Sequence, residues 1–230
     1  MFITGPGISS YIDHTNLKPA SRFADIDQLC REAVQYGFAA VCVPPFVVDR
    51  AVRETKGCNI KIATVIGFPL GYAEAAVKWD ESRRAMEHGA DELDVVINLM
   101  ALKNGLWNHL TAEMFPLVDA IHAKGRIIKV IVESGMLNRE EIVRCCNLYG
   151  NMGIDFMKTS TGYAEKGASV EDVRLMRQEL PAQVGIKASG GIRTYAFARE
   201  LVEAGATRIG CSGSVALVAQ EKEWFTTEKK

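Results

Sequence analysis

The stretch that decides the fold reads GIDFMKTSTG at residues 153–162 and VGIKASGG at residues 184–191. Each half is a short apolar run that stops in a polar, glycine-containing loop, which is typical of a buried strand. The first run ends on Lys158 and the second on Lys187. A lone ammonium group inside a sheet or barrel is heavily penalised by desolvation. Two such lysines at the ends of consecutive strands therefore indicate amine chemistry rather than ordinary surface charge.

Runs of this kind alternate with helical patterns along the whole chain. The predicted strands are 11–17, 39–43, 60–68, 92–98, 126–133, 155–159, 184–188 and 207–211. The predicted helices are 25–36, 46–56, 73–88, 106–123, 139–148, 170–180 and 195–204, and a glycine or proline lies just beyond each. This order predicts an α/β fold, a single-domain (β/α)8 TIM barrel over residues 1–230. An open doubly wound sheet is disfavoured because no GxGxxG fingerprint follows the first strands.

The two ends of the chain are expected to lie outside the barrel. Residues 1–10 are predicted to form an N-terminal arm, and residues 220–230 a charged C-terminal tail. The adjacent aromatic residues Trp224 and Phe225 are a candidate anchor for that tail. Neither end carries a pattern that suggests catalysis.

Composition excludes several classes of protein. Of the 230 residues 48% are hydrophobic and 24% are charged, a mix typical of soluble globular proteins. The net charge of −1 gives no basic field to recruit nucleic acid or an acidic membrane. No apolar run approaches the roughly 18 residues of a membrane helix, and the N-terminus lacks signal-peptide features. The six cysteines form no CxxC pair, so we expect reduced thiols in a cytoplasmic protein.

Charged residues inside the predicted strands should face the barrel lumen. Successive strand residues alternate between the lumen and the helix layer, and the helix-facing side is packed with apolar groups. This rule selects Asp13, Asp94, Lys129, Glu133, Lys158 and Lys187. Active sites of such barrels lie at the C-terminal ends of the strands. Lys158 and Lys187 end the neighbouring sixth and seventh strands, so they are expected to meet there.

A structural interpretation of these lysines must also be considered. Strand lysines are more often ion-paired than nucleophilic, and Asp94 could simply neutralise Lys129. Three lysines nevertheless converge with few carboxylates, and an excess of buried positive charge lowers a lysine pKa. Burial and the charge of Lys187 would bring the pKa of Lys158 toward neutrality, leaving an amine able to attack a carbonyl.

Two glycine-rich loops follow the last two predicted strands. They read SGGIRT at 189–194 and GCSGS at 210–214, and each opens a predicted helical turn. Backbone N–H groups at a helix N-terminus bind phosphate, and barrels commonly place this site after strands seven and eight. One Gly-Gly pair is often only a turn, but the two loops together predict a phosphate site. Thr161 and Gly162, just after Lys158, would add a third wall.

Six motifs spread along the chain resemble those of the deoxyribose-phosphate aldolase family of class I aldolases. They are IDHT at 12–15, VIGFPLG at 65–71, GADELDVVIN at 89–98, KVIVE at 129–133, FMKTSTG at 156–162 and IKASGGIRT at 186–194. The resemblance implies reversible cleavage of 2-deoxy-D-ribose 5-phosphate to acetaldehyde and D-glyceraldehyde 3-phosphate, by a carbon–carbon lyase of deoxynucleoside catabolism.

The resemblance also implies a role for each matching residue. Lys158 would form the Schiff base, Lys187 would lower its pKa, and Asp94 would relay protons through an ordered water. Lys129 would orient the site. The implied phosphate and substrate contacts are Thr161, Gly162, Gly190, Gly191, Arg193, Gly210, Ser212 and Gly213. Asp13, Thr15 and Cys42 are expected to line the pocket.

The same resemblance predicts the accessory requirements. The protonated imine is itself the electron sink, so neither a metal nor an organic cofactor is expected. The four histidines are scattered along the sequence, which agrees with the absence of a metal-ligand pattern. The expected partners are sugar phosphates and small aldehydes, without nucleic acid or membrane. A homodimer or higher homo-oligomer is implied by the family alone.

Some residues depart from the family pattern, and two other functions stay open. Tyr163 stands where some members carry a phosphate-binding lysine, and the chain lacks the C-terminal tyrosine of some relatives. The last loop reads CSGS at 211–214, where relatives often have adjacent serines. A Schiff-base aldolase with another acceptor aldehyde is one alternative. A non-catalytic sugar-phosphate-binding barrel is the other, disfavoured because Lys158, Lys187, Asp94 and Lys129 are all present.

Overall fold

Eight parallel strands close into a barrel in the computed structural model, which describes residues 7–227. The strands are β1 Ile12–Thr15, β2 Ala40–Val43, β3 Lys61–Ile66, β4 Glu92–Val96, β5 Ile127–Ile131, β6 Phe156–Lys158, β7 Gly185–Ser189 and β8 Arg208–Cys211. They follow one another in chain order, and β8 pairs with β1 to close the barrel. The (β/α)8 architecture predicted from the alternating pattern is confirmed.

Helices surround the barrel over the described range 7–227. They are α1 Phe23–Tyr36, α2 Val48–Glu54, α3 Ala75–Glu87, α4 Leu99–Lys103, α5 Trp107–Ala123, α6 Arg139–Asn151, α7 Val170–Glu179, α8 Tyr195–Glu203 and α9 Ser214–Thr227. The short helix α4 was not predicted, and the predicted helix 46–56 begins as the 3-10 turn Pro45–Val47. None of the helices within this range is long and apolar enough to cross a membrane.

The N-terminal region joins the barrel earlier than predicted. Ile8–Tyr11 form a 3-10 helix, and Ile8 is fully buried. The Ile8 backbone N–H donates to the Glu221 carboxylate at 2.8 Å, which ties this turn to α9. The arm predicted over residues 1–10 is therefore wrong for residues 8–10, and residues 1–6 lie outside the described part of the chain.

The C-terminal region is helical over most of the predicted tail. Helix α9 continues to Thr227, and residues 228–230 lie outside the described part. Trp224 is half-buried, with its ring centroid 5.8 Å from that of Tyr195 on α8. Phe225 lies 6.5 Å from the same ring. These aromatic contacts are those expected of an anchor, and they hold α9 against α8.

The strands separate two environments, as their alternation requires. On β4, Leu93 and Val95 belong to the apolar core between barrel and helices, whereas Glu92 and Asp94 are buried inside the barrel. The lumen is itself divided into two halves. Next to β2 and β3 it is apolar, a small cluster formed by Ala40, Cys42, Ala63 and Val65. The charged residues occupy the remaining side, which sets the position of the site.

Candidate active site

Lys158 and Lys187 lie side by side at the C-terminal end of the barrel. They are register partners on the parallel strands β6 and β7. Each has 2% or less of its surface exposed, and both line a cavity of about 680 Å³ at the barrel mouth. The juxtaposition predicted from the two strand ends is therefore present in the structure. A cavity of this volume is within the usual range for small-molecule sites.

Asp94 is the carboxylate that connects the lysines. Its Oδ2 accepts hydrogen bonds from Lys158 Nζ at 2.8 Å and from Lys187 Nζ at 2.7 Å. Its Oδ1 accepts from Lys129 Nζ at 2.7 Å, and Lys129 is the register partner of Asp94 on β5. Asp94 is fully buried and lies beneath the cavity wall rather than in it. The three lysines predicted to converge do so on one carboxylate.

A second tier of charges lies below Asp94. Asp13 bonds Lys187 Nζ through Oδ2 and accepts from Arg208 Nε at 2.7 Å through Oδ1. Glu92 accepts from Arg208 Nη2 at 2.8 Å and contacts Lys129 Nζ at 2.6 Å. Asp13 was expected to line the pocket, but it is fully buried beneath the wall. That expectation is wrong because Asp13 lies at the level of Arg208, one tier below the mouth.

Sequence reasoning missed two members of this tier, Glu92 and Arg208, and misplaced one carboxylate. Glu92 lies two residues before Asp94, so the same alternation rule could have selected it. Glu133 lies beyond the end of β5, where its backbone turns into the left-handed region with φ 54°. Its carboxylate accepts from the hydroxyl and the N–H of Thr161. Alternation along a strand does not apply to it, and its role is to hold the loop after β6.

The surroundings of the two lysines have opposite effects on their pKa values. Burial, helped by the charge of Lys187, lowers the pKa of Lys158 despite the nearby carboxylate of Asp94. Burial would also lower the pKa of Lys187, but the charges of Asp13 and Asp94 outweigh it and raise that pKa. Lys158 is therefore the lysine that loses its proton first, and Lys187 is the one that keeps its charge.

The remaining buried groups hold fixed charges. Burial alone would raise the pKa of Asp94, but Lys129, Lys158 and Lys187 hold it well below its usual range. Burial would lower the pKa of Lys129, yet Asp94 and Glu92 raise it. Around Lys158 the neighbouring charges are thus permanent at neutral pH, so proton exchange is concentrated on the one lysine that faces the cavity with a lowered pKa.

The glycine-rich loops form the other wall of the cavity. The predicted contacts that line it are Thr161, Gly162, Gly190, Gly191, Arg193, Gly210 and Ser212. Gly213 is not part of the wall, because the wall ends one residue before it. Helix α8 begins where the Thr194 hydroxyl accepts from the Phe197 N–H at 3.3 Å. The open backbones of the glycines and the guanidinium of Arg193 are the groups of this wall that suit an anion.

Close approach of backbones explains why these loops need glycine. Gly162 and Gly190 have φ values of 86° and 87°, in the region that favours glycine. A side chain on Gly167 would place its Cβ only 2.2 Å from the carbonyl oxygen of Gly190. The loop after β6 therefore packs backbone to backbone on the loop after β7. Gly167 was not singled out from the sequence, because its partner is distant along the chain.

Gly210 has a steric role besides its place in the wall. A Cβ at this position would lie 3.1 Å from Lys187 Cε and 3.0 Å from Ser189 Cβ. Such contacts are tighter than ordinary van der Waals distances, so a side chain here would push against the Lys187 stem. The glycine predicted as a phosphate contact therefore also leaves room for the buried lysine.

Apolar and aromatic residues form another part of the cavity edge. Tyr163 donates its hydroxyl to the Leu17 carbonyl at 2.7 Å, and its ring meets Phe68 edge-on at 5.4 Å. Thr15 lines the cavity as expected. Cys42, also expected there, is fully buried behind the wall in the apolar cluster. Burial raises the pKa of its thiol, so it is a neutral packing group.

His14 links the start of α9, after the last glycine-rich loop, to helix α1. Its Nε2 lies 2.8 Å from Glu32 Oε2, and its Nδ1 lies 2.9 Å from the Ser214 hydroxyl at the start of α9. Burial lowers its pKa. These contacts give it a structural role. In residues 7–227 no group of three histidine, cysteine or acidic side chains is arranged to hold a metal ion.

Comparisons with known proteins place this geometry among aldolases. A family model described as DeoC/LacD family aldolase matches residues 8–220. A deoxyribose-phosphate aldolase from Thermococcus gammatolerans is 50% identical over 218 residues, 94% of this chain and 97% of that protein. One from Thermococcus kodakarensis is 50% identical over 92% of this chain and 95% of its own. The tetrameric deoxyribose phosphate aldolase structure from Aeropyrum pernix has 33% identity and a TM-score of 0.88, covering 94% of this chain and 92% of that one.

Proposed function

The chain belongs to the DeoC/LacD family of aldolases, and from that premise we propose how its residues cleave 2-deoxy-D-ribose 5-phosphate reversibly to acetaldehyde and D-glyceraldehyde 3-phosphate. The protein is a carbon–carbon lyase of the class I type, which works through a lysine Schiff base. The observation that carries the assignment of residues is the contrast between Lys158 and Lys187 on the shared oxygen of Asp94.

Lys158 is the covalent amine. Its neutral form attacks the aldehyde carbon of the open-chain sugar, and loss of water leaves a protonated imine. The C2–C3 bond then breaks, its electron pair moves into the imine to form an enamine, and the C3 hydroxyl gives up its proton. D-glyceraldehyde 3-phosphate leaves at this point. The enamine takes a proton on carbon, and hydrolysis of the resulting imine releases acetaldehyde and restores Lys158.

Asp94 and Lys187 move and hold the protons. Lys187 stays an ammonium, so it disfavours a second positive charge on Lys158. Asp94 accepts from both amines through one oxygen, which gives a direct path between them. An ordered water on Asp94 would extend the path to the substrate. Lys129 neutralises the other oxygen of Asp94 and fixes its orientation.

The phosphate end of the substrate would lie on the glycine-rich wall. Gly162, Gly190 and Gly191 leave their backbones open, and Arg193 adds a permanent cation. An aldolase with another acceptor aldehyde would use the same lysines, so kinetic measurements are needed to identify the acceptor.

We expect kcat/KM for 2-deoxyribose 5-phosphate to exceed kcat/KM for the unphosphorylated sugar by at least about 100-fold. A ratio of this size corresponds to the loss of one or two charge-assisted hydrogen bonds to the phosphate. Equal efficiency would favour the alternative acceptor.

Trapping tests the covalent step. The protein is incubated with acetaldehyde and borohydride, digested, and analysed for the reduced adduct by mass spectrometry. We expect the adduct on Lys158, and no adduct at that position in K158R, which keeps the buried charge but has no comparable nucleophile. An unmodified Lys158 alongside full aldolase activity would contradict the mechanism. Absence of both activity and adduct would favour a sugar-phosphate-binding barrel.

We also propose that the protein is a cytoplasmic homo-oligomer. Cys30, Cys42, Cys145, Cys146 and Cys211 are buried free thiols, which fits a reducing compartment. The relative from Aeropyrum pernix is a tetramer. Phe46 is 82% exposed and stacks on the exposed Phe23, a surface that would suit contact with a second copy. Light scattering after size-exclusion chromatography distinguishes dimer, tetramer and monomer, and a monomer at all concentrations would contradict the oligomer.

A further inference from the structure

The charged groups around Lys158 do not balance. We call the buried side chains facing one another in the lumen the lumen cluster, comprising Asp13, Glu92, Asp94, Lys129, Lys158, Lys187 and Arg208. Four of these are cations and three are carboxylates, so the fully ionised cluster carries one net positive charge. This excess of positive charge disfavours the protonated form of Lys158, whose one carboxylate partner in the cluster is Asp94.

Other titratable groups lie near the cluster. Cys42, on β2, is a neutral thiol because burial raises its pKa. Lys61, the charged residue of β3, is exposed. Glu133 faces Lys158 from the loop after β5, where it accepts from Thr161. These groups are the same in every variant compared below, so a change of charge within the lumen cluster is what distinguishes the variants.

Arg208 and Glu92 lie in the tier below Asp94, away from the cavity wall. Neither lines the cavity, so neither can touch a bound substrate. Arg208 bridges the two carboxylates of the lower tier, at 2.7 Å from Asp13 and 2.8 Å from Glu92, and its guanidinium lies 5.7 Å from the Phe156 ring centroid. The strand β8 places it beside Lys187, its register partner, and Lys187 is in turn the partner of Lys158.

We propose that Arg208 and Glu92 set, from outside the substrate site, the fraction of Lys158 that is a neutral amine at neutral pH. Both are positioning residues that act through charge, and the inference rests on the proposed role of Lys158. Two strand spacings separate Arg208 from Lys158, roughly 10 Å. At an effective dielectric of about 20, one charge at that distance moves a titration midpoint by about one pH unit.

The signs follow from the charge count. R208M removes one cation, leaves three cations and three carboxylates, and raises the pH at which Lys158 loses its proton. E92Q removes one carboxylate, leaves four cations and two carboxylates, and lowers that pH. The double variant R208M/E92Q has three cations and two carboxylates, the same net charge as the natural chain. Its midpoint is therefore expected close to that of the natural chain, although all the Arg208 contacts are lost.

The experiment measures Lys158 directly. Each variant is treated over a pH series with formaldehyde and cyanoborohydride, and the methylation rate of Lys158 is followed by mass spectrometry. This readout needs no aldolase activity. We expect a midpoint about one pH unit higher in R208M, with an approximately tenfold slower rate below the midpoint, and about one unit lower in E92Q. The double variant should lie within a few tenths of a unit of the natural chain.

Three further variants separate charge from structure. R208K keeps the cation and should restore the natural midpoint. R126M breaks a half-buried ion pair outside the lumen cluster, Arg126 with Asp91 at 2.8 Å, and should leave the midpoint unchanged. If R208M does not fold, E92Q and the double variant still test the signs. Unchanged midpoints in R208M and E92Q, or shifts in one common direction, would overturn the inference. Failure of acetaldehyde trapping on Lys158 would instead refute the proposed function.

Discussion

Lys158 and Lys187 have nearly the same position but opposite chemistry. They are register partners on neighbouring strands, both are buried, and both donate to the same oxygen of Asp94. Lys187 has one additional partner, Asp13. With that partner its pKa rises, and without it the pKa of Lys158 falls. A single extra carboxylate therefore decides which of two equivalent lysines becomes the nucleophile and which becomes the fixed charge.

Removing Lys187 should have the largest effect on this contrast. In K187M the pKa of Lys158 rises, because a neighbouring cation is lost while Asp94 remains. The neutral amine is then scarcer at neutral pH and recovers as pH increases toward the new pKa. We expect kcat to fall by about 100-fold or more at pH 7 and by clearly less at pH 9. The measurement is a pH profile of kcat for both proteins.

The variant K187R is the control for this profile. K187R retains a cation at this position, so its basic limb should stay close to that of the natural chain even if the absolute rate falls. A K187M profile with the same shape as the natural one, displaced downward at every pH, would mean that Lys187 does not act through the pKa of Lys158.

Removing Asp13 should narrow the contrast without abolishing activity. In D13N the side chain keeps its shape but loses its charge, so the pKa of Lys187 falls relative to the natural chain because one of the carboxylates that raise it is gone. Lys187 should then be methylated by formaldehyde and cyanoborohydride at a lower pH than before. We expect aldolase activity at neutral pH to change less than in K187M, since Lys187 stays protonated there and the loss of a buried carboxylate also favours the neutral form of Lys158.

The control for D13N is the same type of substitution, Asp to Asn, at Asp91, outside the lumen cluster. D91N breaks the ion pair with Arg126 near the N-terminal ends of the strands, outside the lumen cluster. It should leave the methylation order of the two lysines as it is. An unaltered Lys187 midpoint in D13N would show that Asp13 is not what distinguishes the lysines.

The smallest effect is expected at Gly210. In G210A the new Cβ would press on Lys187 Cε and on Ser189, which must shift by a few tenths of an ångström. We expect a several-fold rise in KM for the phosphorylated substrate and a loss of about 1 kcal/mol of stability, typical of mild overpacking. Steady-state kinetics and thermal unfolding check both. G213A lies beyond the cavity wall and should change KM less; a larger effect there would contradict the position of the wall.

The sequence was sufficient to predict the barrel and the convergence of Lys129, Lys158 and Lys187 near Asp94. Eight alternating runs predicted the strands, and the lysines ending two of them predicted the pair Lys158 and Lys187. The family motifs cover so much of the chain that the resemblance predicted most of the residues of the glycine-rich loops that line the cavity. These features could be predicted because each depends on residues of a single strand and the loop that follows it.

The contacts within the lower tier, formed by Asp13, Glu92 and Arg208, were not predicted because they join distant strands. Arg208 follows Thr207 at the start of β8, a place where an exposed arginine is common. Its partners Asp13 and Glu92 are 195 and 116 residues away along the chain. Only the closure of β8 on β1 brings them together. The prediction that Glu133 faces the lumen failed for a local reason. Its backbone has left β5 and turned, so strand alternation no longer sets the direction of its side chain.

The order in which Lys158 and Lys187 lose their protons tests the central claim most directly. Both can be followed in one sample of the natural chain by methylation with formaldehyde and cyanoborohydride over a pH series, with each peptide quantified by mass spectrometry. Lys158 is expected to titrate first, below the usual lysine pKa of about 10.4, while Lys187 remains unreactive to the highest pH at which the fold persists. Methylation of Lys187 at a lower pH than Lys158 would contradict the account.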